Sequence, residues 1–480
     1  MAIKRRTGGG ARRKAGKQDA GGRLRVRMYR VGFGDFFLLT VPSAEGPQHV
    51  LIDCGVTKGT TGNGDIGSIK EAVAHMARET ERKLALIVVT HRHMDHIIGF
   101  SRCAEEFKQF RVGAIWMPYW ETEYDAEISG FQAALTALAL DVQSHLALAA
   151  DGSSESAAML AMLENATGTP FGLTGTGGGS NAASLALLKG QLGVKPVYCH
   201  IGQTPELPKE LADAGLEAEV LGPPPKDATA FMKLKDLKKG VGQYLEASER
   251  RSAAGGAFRP FGEEWRGSAS DYPPEAFRKW APRVAGVAPD FRTRHHKPLE
   301  QAVQDAQPGV LLTAVKQLDA FLNNQSLVVL FTYRGKKLLF AGDAQAGNWE
   351  YWLYDGDQPS KTPAAKLGTR GASVLGQLDF YKVGHHGSTN ATPITAVAAM
   401  NPRGFVAMCS TQADTFGSEA NQSEVPREPL IAALAKNGTV VRSDQFAASV
   451  GDRSIPPAVA TPKLDRGTFV VGSCYVDYLL

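Results

Sequence analysis

Hydrophobic and polar positions fall in short blocks along the chain. From Arg23 the stretch RLRVRMYRVGFGDFFLLTVP alternates and then turns apolar, and Gly32-Phe33-Gly34-Asp35 interrupts it. This pattern predicts two strands and a turn. His49-Val50-Leu51-Ile52 is a strand that ends on Asp53-Cys54-Gly55. A glycine-rich loop and a helix near 67–80 follow, and the apolar run Leu84 to Val89 makes the next strand. Val112 to Met117 predicts a further strand, and residues 130–149 and 155–165 predict helices. The glycine-rich stretch Thr174 to Ser180 reads as a hinge or loop feeding a helix from near Asn181, and by itself is weak ground for phosphate binding. Residues 240–308, rich in charge, Pro and Gly, with Trp265 and Trp280, read as an insertion that covers or flanks a cleft.

Regular patterning returns in the C-terminal half. Ser326 to Tyr333 and Lys337 to Ala341 form a hairpin that ends at Gly342-Asp343. Leu378 to Val383 is a strand ending in Gly384-His385-His386-Gly387-Ser388, and Phe405 to Cys409, Val440-Val441 and Phe469 to Val476 complete the strands. Strands alternating with helices imply layered packing of helices on sheets. No long internal repeat is present.

Four of these strands end in side chains that bind metals. They are Asp53, the cluster His91/His93/Asp95/His96 in THRHMDHIIGF, Asp343, and His385/His386. Strand tips at one sheet edge converge, so residues far apart in sequence can share a pocket. Histidine and aspartate together suit first-row divalent ions such as zinc or manganese. In a tight His-x-His-x-Asp-His loop the first two histidines can hold one ion, the aspartate and last histidine a second, with Asp343 bridging. Two such ions lower the pKa of a shared water towards neutrality.

His91-Arg92-His93-Met94-Asp95-His96 resembles the signature of the metallo-β-lactamase-fold hydrolases. The details look most like the hydrolase domain of ComEC-type DNA-uptake proteins and its stand-alone relatives. Val31-Gly-Phe-Gly-Asp35 resembles that group's early VGQGD turn. Leu51-Ile-Asp53-Cys-Gly55, Leu221-Gly-Pro-Pro224, Asn324-Gln-Ser326, Ala341-Gly-Asp343 and Lys382-Val-Gly-His385-His386-Gly-Ser388 follow its later landmarks in order. The resemblance covers about 24–112 and 310–480, and 113–310 only patchily. It is specific for fold and metal site, but not for a substrate.

The resemblance implies an α+β fold, an αββα sandwich spanning 23–480, with a large insertion at about 113–310 flanking the cleft. It further implies two divalent ions, zinc first and manganese second, held by His91, His93, Asp95, His96, Asp343 and His386. Asp95 and Asp343 would also serve the chemistry. His385 would face the substrate, steadying negative charge or protonating the leaving group, although the order of the two histidines can be reversed. Asp53 would orient a ligand histidine. Asn324, Lys382 and Ser388 would stand behind the ligands or against substrate. One departure is that no histidine precedes the hairpin, where Leu322-Asn323-Asn324-Gln325-Ser326 stands. Either an asparagine stands in or holds a water, or His200, His295 or His296 reaches in, or one ion is weakly held. His295-His296 reads first as part of a basic loop patch, and His49, His75 and His145 as residues outside the site.

Charge adds a direction. Residues 1–30 carry eleven Lys/Arg against Asp19 alone, which leaves the rest of the +4 chain about six units negative. Residues 1–22 read as a solvated basic arm that can also hold a polyanion. With Arg92, Lys382 and the basic 292–297 loop, the arm makes nucleic acid the leading substrate, ahead of a nucleotide or other phosphoester. Trp116, Tyr119, Trp120 and Tyr124 serve either as a base-stacking wall or as packing. The competing activities are hydrolysis of a lactone, amide or thioester, and a non-enzymatic polyanion- or partner-binding subunit with a degenerate site. The 113–310 segment offers a surface for such a partner. The apolar share of 43% is ordinary for a globular chain, no run of eighteen apolar residues appears, and the basic start lacks the apolar core of a secretory signal. Five scattered cysteines fit reduced thiols, and the expected location is cytoplasmic.

Overall fold

In the computed structural model the described residues are 22–57, 68–130, 132–133, 163, 180–203, 205–231, 319, 321–356, 367–417, 424–446, 464–465 and 467–480. The basic arm, the 292–297 loop, His145 and nearly all of the two helices expected at 130–149 and 155–165 lie outside them.

Two mixed sheets form the frame of an α+β protein. The first contains β1 (Arg25–Tyr29), β2 (Phe37–Val41), β3 (Gln48–Ile52), β4 (Lys83–Val88), β5 (Arg111–Pro118) and β6 (Pro196–Cys199). The second contains β7 (Leu216–Gly222), β8 (Val328–Tyr333), β9 (Lys336–Phe340), β10 (Leu378–Lys382), β11 (Phe405–Cys409) and β12 (Gly438–Arg442). The chain then returns to the first sheet with β13 (Phe469–Val471) and β14 (Tyr475–Leu479), giving the order β13-β14-β1-β2-β3-β4-β5-β6 against β12-β11-β10-β9-β8-β7. Pairing from β3 through β6 is parallel in the first sheet, and from β9 through β12 in the second.

Alternation sorts the side chains into three cores. Phe37, Leu39, Val50, Leu86 and Val88 face Val329, Phe331, Leu338, Phe340 and Phe380 between the sheets. The intervening residues Leu38, Leu51, Ile87 and Val89 face the other way, under α1 (Ile69–Glu79), α2 (Met94–Arg102) and α4 (Asn181–Gly190); α3 is the short turn Ala104–Phe107. Beyond α5 (Lys209–Asp213), four helices cover the far side of the second sheet. They are α6 (Ala346–Leu353), α7 (Thr369–Leu375), α8 (Ile394–Ala399) and α9 (Glu428–Ala435). Both faces of each sheet are therefore apolar, which explains the unbroken run Leu84 to Val89. In α1 the buried positions Ile69, Ala72, Val73, Met76 and Ala77 recur at helical spacing, and Ser68 accepts the Glu71 N–H to cap the first turn.

The described part of 113–310 supplies most of β5 and all of β6 and β7, so each sheet takes an edge strand from it. These edges escaped periodicity because β6 has four residues and β7, LEAEVLG, is half polar. The C-terminal run Phe469 to Val476 is two antiparallel strands rather than one. All five cysteines are free. No helix among the described residues is long and apolar enough to cross a membrane.

His49 is buried on β3 opposite Thr40, with Nδ1 3.2 Å from the threonine Oγ1. Burial, with the Arg25 charge, lowers its pKa from 6.5 to about 4. The unfolded chain takes up this proton first, so stability from neutral His49 is complete above pH 6.5 and is lost as pH falls towards 4. The loss approaches about 3 kcal/mol. In urea denaturation, wild type should lose more stability between pH 6.5 and 4.5 than His49→Gln does. Equal losses would contradict this account.

Candidate metal centre

The site forms where parallel strands of both sheets end. Asp53 follows β3, Thr90 and His91 follow β4, Asp343 follows β9, and His385-His386 follow β10. His93 is the N-terminal cap residue of α2, so Asp95 and His96 occupy its first turn, where an anionic side chain suits the helix dipole. Asp53, His385 and His386 all hold left-handed backbone (φ 56°, 44° and 52°). Such a conformation costs an L residue about 1–2 kcal/mol, and strain of this kind concentrates at functional sites.

Two glycines permit the loops to interlock. A Cβ on Gly55 would lie 2.2 Å from the Asp95 carbonyl carbon and the His96 nitrogen. Gly342 has φ +54°, and a Cβ there would meet Thr90 Cβ at 2.8 Å. The Asp-Cys-Gly and Ala-Gly-Asp motifs thus bring their carboxylates against the histidine loop. Ser326 Oγ accepts the Asp343 N–H at 3.1 Å and fixes that carboxylate further.

Oδ2 of Asp343 is the centre of the cluster. Four imidazole Nε2 atoms surround it, from His96 at 3.0 Å, His386 at 3.7 Å, His385 at 3.9 Å and His91 at 4.0 Å. His386 Nε2 also lies 3.0 Å from Asp95 Oδ2, and its Nδ1 lies 2.7 Å from the Ser410 carbonyl. That contact places an imidazole hydrogen on Nδ1 and turns Nε2 inwards, towards the Asp95 and Asp343 carboxylates. His93 packs beside His91, their rings 4.6 Å apart. Asp95, His96, Asp343 and His386 are buried, each with a ligand atom within 4.8 Å of the others, and they could hold a divalent ion.

Behind the ring, Asp53 accepts from Thr90 N–H (2.7 Å) and Thr90 Oγ1 (2.6 Å), and its Oδ2 meets His96 Nδ1 at 2.8 Å. This is the carboxylate-histidine contact that orients a metal ligand. Ser388 Oγ donates to Asn390 Oδ1 (2.7 Å), and both atoms lie 2.8 Å from His385 Nδ1.

Charge and burial pull the histidines apart. Burial, reinforced by the neighbouring imidazoles, holds His91 far below the usual range, and burial brings His93 to about 4. Both are neutral and ready to donate lone pairs at pH 7. Burial opposes a charge on His96 and His386 as well, but the Asp343 carboxylate outweighs it and raises both. Asp343 and Asp95 stay ionised despite burial, held low by His96 and its neighbours.

The fit to a cation rests on unspent atoms. Nε2 of His91, His93 and His96 and Oδ2 of Asp343 are buried and make no hydrogen bond, even where His96 and Asp343 stand 3.0 Å apart. An unsatisfied buried polar atom costs roughly 1–3 kcal/mol. A bound cation is the chemistry that these lone pairs fit.

No protein-family model matches the chain, and no curated protein matches it.

Several placements revise the sequence reading. Lys382 does not face a polyanion; it is buried, ion-paired with Asp35 and bonded to the Gly342 carbonyl. Arg92 is likewise occupied by a two-pronged contact with buried Glu121, at 2.6 and 2.8 Å. Trp116 lies in the core between the sheets and Trp120 packs on Phe321, so of the four aromatics only Tyr119 and Tyr124 reach the surface. His200 packs on Tyr119 with its Nδ1 on the Ile201 carbonyl, and is not drawn into the cluster. Asn324 Oδ1 accepts the Asn348 N–H, which ties the turn before β8 to α6. His295 and His296 lie outside the described residues.

Two carboxylates went unread as site residues. Asp35 lies 3.6 Å from His96 Nδ1 and 3.7 Å from His386 Nδ1, and its only local signal was the Gly-x-Gly-Asp turn. Asp319 accepts from Asn323 Nδ2, and burial plus the Asp343 and Asp95 charges raise it to about 7. No motif marks it.

Stripping metal from the purified chain should lower its thermal midpoint by about 5 °C or more, with recovery on adding zinc or manganese. Asp53→Asn should bind the ion about 10–100-fold more weakly in competition titration with a chelating dye. An unchanged affinity would remove Asp53 from the orienting role.

Proposed function

We propose that the chain is a metal-dependent hydrolase of the metallo-β-lactamase fold that acts on phosphodiesters through a two-ion site. The observation that carries this reading is the buried ring of four imidazole Nε2 atoms, 3.0 to 4.0 Å around Oδ2 of Asp343. His91 and His93 would hold one ion, Asp95, His96 and His386 the other, and Asp343 would lie between them. When bound, the ions supply Lewis-acid polarisation of the substrate and a nucleophile at neutral pH.

The chain's own residues divide the remaining work. His386 is the better ligand of its pair, because it is fully buried and the Ser410 carbonyl aims its Nε2 at the cluster. His385 is a fifth exposed, which favours the substrate-facing role. Ser388 spends its proton on Asn390, so His385 carries its hydrogen on Nδ1 and presents a lone pair at Nε2. Burial lowers the pKa of His385 as well. His385 therefore acts as a proton acceptor at Nε2, rather than as the donor that the motif alone implied. Glu121 holds Arg92 and with it the backbone between His91 and His93.

Support for a phosphodiester comes from the resemblance to ComEC-like hydrolases and from the basic residues 1–22. A second reading, hydrolysis of an uncharged ester or lactone, draws on the neutralisation of Lys382 and Arg92 by Asp35 and Glu121. Wild type should cleave bis-p-nitrophenyl phosphate, and single-stranded DNA or RNA, with zinc or manganese. Asp343→Ala and His91→Ala should each lower kcat/KM at least about a thousandfold. If phosphodiesters stay intact with zinc, manganese and nickel while a lactone or thioester is turned over, the second reading replaces the first.

A further inference from the structure

Lys382 closes β10 two residues before Gly384, and its ammonium is among the most deeply buried charges in the protein. A buried lysine is rare unless paired. This one forms an ion pair with Asp35, lies 3.6 Å from Oδ1 of Asp343 and donates to the Gly342 carbonyl at 3.1 Å. Oδ1 of Asp343 also accepts the His385 backbone N–H at 3.0 Å. The two oxygens of Asp343 thus face different worlds: Oδ1 an ammonium and an amide, Oδ2 only imidazoles. Asp35, carried by the same ammonium, stands behind both His96 and His386.

We propose that Lys382 is a positioning residue, a built-in cation that clamps Oδ1 of Asp343 and holds Asp35 behind His96 and His386, so that Oδ2 alone is offered to the ions. This rests on the two-ion reading above. A carboxylate with both oxygens free can chelate one ion, whereas a carboxylate with one oxygen held by an ammonium can share only the other. Lys382 also prevents the buried carboxylates from accumulating negative charge on one side of the ions. Its role is to set how the ligands are presented, without touching substrate.

The test separates fold from positioning. Lys382→Met alone strands Asp35 as an unpaired buried charge and can unfold the chain. The double variant Lys382→Met/Asp35→Asn removes both charges and should match wild type in urea denaturation of the metal-free protein. It should nevertheless bind zinc about 10–100-fold more weakly, with an altered visible spectrum when loaded with cobalt. Lys382→Arg, which keeps the charge, should recover most of the affinity. A double variant with wild-type zinc affinity and cobalt spectrum overturns the proposal. Should the double variant not fold, a crystal structure of the zinc-loaded wild type decides: Oδ1 of Asp343 on the ammonium supports the proposal, and Oδ1 on an ion overturns it. A wild type that takes up no ion removes the two-ion reading itself. Ion uptake by wild type with unchanged behaviour in the double variant removes only the role of Lys382.

Discussion

Desolvated nitrogen and oxygen atoms that make no hydrogen bond govern this structure. Three imidazole Nε2 atoms and one carboxylate oxygen are buried at the centre without hydrogen bonds, and a buried polar atom left without any partner costs roughly 1–3 kcal/mol. Everything around them reduces the freedom of those atoms to find other partners. Asp53 holds His96, the Ser410 carbonyl holds His386, and Ser326 with the His385 amide holds Asp343. A site so restrained cannot collapse on itself, and a cation remains the partner it fits.

The two-sheet frame makes that restraint possible. Parallel strands place successive loops at one edge, and here both sheets present such an edge to the same point. The loops are then drawn closer than side chains would ordinarily allow, through Gly55 against the first turn of α2 and Gly342 against Thr90. The left-handed backbone at Asp53, His385 and His386 costs free energy locally. The apolar cores on both faces of each sheet supply the rigidity that sustains it.

The distribution of cations shapes the functional reading as much as the ligands do. Lys382 and Arg92 neutralise buried Asp35 and Glu121 in the interior instead of facing an anionic substrate. The basic stretches proposed to attract a polyanion, in 1–21 and 292–297, lie outside the described residues. Metal chemistry and substrate charge are therefore separate questions in this chain. The hydrolase reading rests on the first, and the phosphodiester reading leans on the second.

Much of this was legible along the chain because the relevant signals are local. Short alternating or unbroken apolar blocks located β1 to β5 and β8 to β11 to within a few residues, and the density of histidine and aspartate at strand tips marked the cluster. Layered packing of helices on sheets followed from the same blocks, whereas the α+β two-sheet arrangement was implied by the family resemblance. Tertiary structure decided what depends on partners distant in sequence. His386 meets Asp95 across 291 residues and Asp53 meets His96 across 43, distances over which no periodicity speaks. Hence the carboxylates of Asp35 and Asp319, the inward turn of Lys382, the attachment of Asn324 to α6 and the edge strands β6 and β7 emerged only from packing. A charged side chain looks the same in sequence whether it meets solvent or a buried counter-charge. Its partner is fixed when the sheets come together.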